Sequence, residues 1–103
     1  MANVTVTFGT DTRSNNAITA GWIHGTMQAQ ERAGQPVCGT VRVEGGGINV
    51  TLPVGSCPGA SGGGRAPNAA EGEVIALFKR RHLDEARFSP GDLESFVKQA
   101  LRL

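Results

Sequence analysis

The 103-residue chain has no apolar run near the ~18 residues that a membrane-spanning helix needs. It also has no excess of either charge, with a formal net charge of +1. The first absence excludes a helical membrane span, so no membrane partner is expected. The second removes the broad field that draws a protein to nucleic acid or to an acidic bilayer surface. Charged residues are only 18% of the chain, below the ~25% usual for globular domains. The opening Met1-Ala2-Asn3 carries neither the basic nor the apolar region of a signal peptide, so a cytoplasmic location is expected.

Cysteine is scarce. Cys38 and Cys57 form no CxxC pair, and no Cys/His group stands at zinc-finger spacing. Neither a metal site nor a cofactor is expected. In a reducing compartment the two cysteines are expected as free thiols.

Glycine is the residue in excess, 15 of 103. Gly45, Gly46, Gly47, Gly55, Gly59, Gly62, Gly63 and Gly64 crowd into one window, together with Pro53 and Pro58. The excess is therefore local: a triple-glycine turn followed by a Gly/Ser/Pro-rich loop at 55–67. A loop of that length in a small domain is either functional or mobile.

Val4, Val6 and Phe8 alternate with threonines, the period-two pattern of a half-buried strand. Residues 9–15 (GTDTRSN) read as a polar turn. Over residues 16–33, Ile18, Trp22, Ile23 and Met27 share one helical face, which predicts a helix despite Gly21 and Gly25. Two alternating apolar sets follow, Val37 to Val43 and Ile48 to Val54. Placing both sets on one face pairs Val43 with Val50 and Val41 with Leu52, and leaves Gly46-Gly47 as a two-residue turn. Pro53 cannot donate to a ladder, which makes this last strand an edge.

Two helices close the chain. Asn68 with Glu71 has the spacing of a capping box, ahead of an apolar stripe Val74, Ile75, Leu77 and Phe78. Ser89 then caps a helix with Pro90 first and Asp92 third, while Phe88 and Leu93 form a hydrophobic staple. The expected architecture is one α+β domain over residues 1–103. It is a two-layer sandwich with a small, three-stranded, mainly antiparallel sheet and helices on one face, in the order β-α-β-β-α-α. A right-handed crossover through the first helix would make the first two strands parallel.

Three constellations could carry function. Residues 59–65 (GASGGGR) have the outer glycine spacing of a phosphate loop, but Arg65 stands where the lysine belongs and Ala66 replaces the magnesium-binding hydroxyl. A small-molecule or anion site there would use Arg65, Cys57 and Asn68, with Trp22 and His24 as further walls. Cys57 lacks a nearby base and stands far from Arg65 in sequence, so no catalytic residue is assigned. Lys79, Arg80 and Arg81 form the basic run, yet residues 71–103 hold six basic and six acidic side chains, so nucleic acid is not expected as the main partner. The favoured reading is a non-enzymatic interaction module that self-associates, as a dimer first of all, because a small sheet leaves unpaired edges and one bare face. The small-molecule or anion binder and the weak nucleic-acid binder are the alternatives.

Overall fold

Threonine and valine alternate in β1 (Asn3–Phe8) because one side of the strand faces the core and the other faces water. The computed structural model describes residues 1–59 and 66–103. It is an α+β structure in which a four-stranded antiparallel sheet carries three helices. The strands are β1, β2 (Asp11–Ser14), β3 (Cys38–Gly45) and β4 (Ile48–Gly55), side by side in the order β2-β1-β3-β4. The helices are α1 (Ala20–Arg32), α2 (Ala69–Arg80) and α3 (Pro90–Ala100).

Of the expected polar turn at 9–15 only Gly9-Thr10 turns, and Asp11–Ser14 is instead the second arm of a hairpin. Phe8 pairs with Asp11 across Gly9-Thr10, and Thr7 and Thr5 pair with Thr12 and Ser14. The Thr7 and Thr12 hydroxyls lie 2.9 Å apart. All four residues of β2 are exposed, so the strand has no apolar alternation by which it could be read.

This extra strand also corrects the expected parallel pairing. β2 returns the chain to the starting end of β1. α1 then carries it forward again, and β3 descends antiparallel to β1, with Val4 opposite Val43 and Val6 opposite Val41. Without β2 the same helix would have produced a parallel pair.

Residues 16–33 are helical only from Ala20. A single 3₁₀ turn covers Asn15–Ala17, and Thr19 caps α1 by accepting from the Trp22 amide. Ile18 is buried all the same, from the non-helical residue at the entry to the cap.

The β3–β4 register is the one the sequence implies. Glu44 faces Asn49, Val43 faces Val50, and Val41 faces Leu52. Gly46 and Gly47 both have positive φ, at 59° and 85°, which the tight turn requires and glycine adopts without steric cost. β4 is an edge, as Pro53 implies.

Val4, Val6, Val41, Val43 and Val54 are wholly buried beneath the helices, in one cluster with Ile23, Val74, Phe78, Leu93 and Phe96. Phe78 and Phe96 meet edge to face at 5.6 Å, joining α2 to α3. Phe8 stacks on Phe88 and meets Trp22 at its edge, which brings α1 and the residues before α3 onto the end of β1. Both expected helix starts are present: Asn68 and Glu71 form a reciprocal capping box, and Ser89 accepts from the Asp92 amide behind Pro90.

Candidate functional site

Cys38 and Cys57 are not free thiols. They form a disulfide with a Cα–Cα distance of 4.9 Å, well inside the ~4.4–6.8 Å that a bridge requires. In the β3–β4 register Cys38 stands opposite Gly55, so Cys57 lies two residues beyond its partner position. That placement follows from the register alone and was the signal available for the bridge. The tie is reinforced by the backbone: Ser56 N–H donates to the Val37 carbonyl and Gly55 N–H to the Leu83 carbonyl, both at 2.8 Å. Gly55 is irreplaceable here, since its φ is +83° and a Cβ would run into the Val37 carbonyl. The Gln30 carboxamide extends the ladder past the end of β1, donating to the Cys38 carbonyl and accepting from its amide at 2.8 and 3.1 Å.

The bridge removes the thiol from the anion-site constellation, and the fold separates what remains of it. Arg65 lies outside the described residues. Asn68 sits at the Gly46-Gly47 end of the β3–β4 hairpin, where its Nδ2 donates to the Gly47 carbonyl while its Oδ1 caps α2. Cys57 sits at the other end, eight residues of β4 away, a span of roughly 25 Å.

Trp22 is half-buried against Phe8, with the Arg13 guanidinium 5.3 Å from its ring centre. His24, two residues on along α1, is exposed. The concavity beside the bridge, about 390 Å³, is lined by Gln30, Gln35, Pro36, Thr40, Cys38 and Pro58 among others, and by neither Trp22 nor His24. In the basic run, Lys79 and Arg80 are exposed, whereas Arg81 is engaged with Asp92 at 3.1 Å and with Gln99 at 3.3 Å on α3. Of the three cations, Arg81 is thus tied to α3 by its own contacts. Among the described residues no group of His, Cys, Asp or Glu is arranged to hold a metal ion. No helix among them is long and apolar enough to cross a membrane.

What the described residues do assemble is a sheet that they leave open on one side. The helices cover the face bearing Val4, Val6, Val41 and Val43. The opposite face carries Thr5, Thr7, Thr12, Ser14, Thr40, Arg42, Glu44 and Thr51, with Arg42 and Glu44 paired at 2.9 Å. Hydroxyls dominate it, and Thr5 and Ser14 approach to 3.4 Å across the strands.

The two edges of the sheet differ. In an antiparallel ladder, alternate residues turn their N–H and C=O toward the neighbouring strand or away from it. On β4 the odd-numbered residues turn outward. The Asn49 amide is taken by the Glu71 carboxylate at 2.9 Å, the Gly55 amide by Leu83, and Pro53 has no N–H. Only the Thr51 amide on that edge meets no acceptor among the described residues. Following the same parity through β3 and β1, the even-numbered residues of β1 face β2. The Val4 amide bears this out by donating to Asn15 Oδ1 at 2.9 Å, just past the end of β2. The outward groups of β2 therefore belong to Thr12 and Ser14, and nothing among the described residues covers them.

No family model, curated protein or solved structure matches this chain.

Proposed function

We propose that the protein is a non-enzymatic interaction module that self-associates through its sheet. The observation that carries this reading is the one-sided layering: three helices on one face, a hydroxyl-lined face opposite, and a β2 edge that nothing among the described residues covers. A surface with few charges and no bulky aliphatic groups is cheap to desolvate against a copy of itself, because its hydroxyls can donate and accept across the contact. Three of the side chains that could have served chemistry are already in use: Cys57 in the bridge, Asn68 in the cap, Arg81 in the α2–α3 contact.

The open face is small. Four strands at ~4.8 Å spacing and about six residues of length give roughly 400 Å², against the ~800 Å² per partner of a standard interface. The face alone is therefore too small for a standard interface, and weak association, in the micromolar range, is expected. The Cys38–Cys57 bridge supports an oxidising compartment in place of the cytoplasmic one, since such bonds persist where glutathione does not reduce them.

Light scattering coupled to size exclusion over a micromolar concentration series tests the reading. Twice the 10.7 kDa chain mass at the upper concentrations is the expected result. A single 10.7 kDa species throughout overturns it.

A further inference from the structure

Resting on that self-association reading, we infer that two copies join edge to edge through β2, in one register, to form a continuous eight-stranded antiparallel sheet. Among the described residues, β2 is the edge with outward backbone groups left over, while three of the four outward positions on β4 are capped or lack an N–H. An uncovered strand edge is a template for another strand, and a four-residue edge suits a two-fold contact between identical strands.

The sequence of the strand selects the register. Hydrogen-bonded pairs across the new seam must join outward-facing residues, which are Thr12 and Ser14. Centring the two-fold axis on Thr12 pairs Thr12 with Thr12 of the second copy. Asp11 then stands opposite the second copy's Arg13, twice over. Sliding by one step of the pleat in either direction places Asp11 opposite Asp11 or Arg13 opposite Arg13, a like-charge contact at cross-strand distance. Only the Thr12-centred register joins opposite charges.

The side-chain faces agree with it. Asp11 and Arg13 pair with Phe8 and Val6 and so lie on the helix-bearing side. Arg13 already spans that side, above the Trp22 ring and 3.2 Å from the Ala17 carbonyl, and its remaining donors are available to the second copy's Asp11. Thr12 lies on the open face, in one row with Thr7 and Thr40. Two-fold pairing runs that row straight through the seam, six threonine side chains across the joined sheet.

The test uses the full chain with two charge reversals, Asp11→Arg and Arg13→Asp. Each variant alone places like charges opposite one another, and its dimerisation is expected to weaken at least about tenfold. An equimolar mixture of the two variants restores opposite charges at both positions, and a heterodimer of near wild-type affinity is expected. Recovery in the mixture also shows that loss of the Arg13–Trp22 contact has not unfolded the Arg13→Asp chain. Thr12→Pro, which deletes the outward amide at the axis, is expected to abolish dimerisation in the wild-type background.

The outcomes separate the inference from the reading beneath it. A wild-type dimer that tolerates all three substitutions, or single variants that weaken without recovering on mixing, overturns the β2 register and leaves self-association to another surface. A wild-type chain that is monomeric throughout overturns both, and is the result expected if β2 instead receives an extended strand from a different protein.

Discussion

Glu71 is the buried acidic side chain among the described residues, 1% exposed, and it joins two segments. One oxygen accepts from the Asn68 amide at 3.0 Å and the other from the Asn49 amide at 2.9 Å, so the start of α2 is fixed to the edge of β4. Glu71→Ala removes the acceptor of both amides, and a loss of about 2–3 kcal/mol in urea unfolding is expected. Half of this was legible in the sequence: Asn-x-x-Glu ahead of an apolar stripe announces the capping box. The bond to Asn49 was not, because it depends on where the hairpin lies against the helix. His82 shows the reverse case. It adopts φ 56° just past the C-cap of α2, a left-handed position that glycine would fill without strain. His82→Gly is expected to raise stability by about 0.5–1 kcal/mol, read as a higher denaturation midpoint. Nothing in the basic run Lys79 to His82 signals that backbone state.

Among the elements, those with a strong periodicity or a cap were legible and β2 was not. The β3–β4 hairpin was readable to the register, since two apolar sets must share one face and Gly46-Gly47 admits one turn. β2 is a strand by virtue of its partner β1, with no burial of its own to pattern its residues. Missing it inverted the expected pairing of β1 and β3. Pro53 belongs to the same scale. Its missing N–H keeps β4 blunt, and Pro53→Val is expected to leave the fold intact while adding an outward amide beside Thr51. Concentration-dependent higher oligomers in light scattering, beyond any dimer, would report the opened edge.

For the molecule as a whole, the candidate site was the least legible part. Cys57, Asn68, Trp22 and His24 drew notice by residue type, but chemistry requires convergence in space, and the hairpin holds Cys57 and Asn68 at opposite ends. The bridge was the correction with the largest consequence. Closing a loop with a sequence separation of 19 is worth about 3 kcal/mol through the unfolded chain. Cys38→Ser with Cys57→Ser is therefore expected to lower the melting temperature by roughly 10–20 °C. Because Gly55 and Ser56 keep their backbone bonds to Leu83 and Val37, the doubly substituted chain is expected to fold, with native far-ultraviolet circular dichroism at low temperature.

The bridge also alters how the chain would respond to tension. Pulled from its two ends, the oxidised protein cannot pay out the hairpin, because the force passes from Cys38 to Cys57 through sulfur. Roughly 60 Å of contour length stays locked behind the bond, since 19 residue steps would otherwise extend at ~3.5 Å each. A single-molecule stretching trace taken with and without a reducing thiol would differ by that length. The β3–β4 arm is thus a mechanically silent segment for as long as the protein remains oxidised.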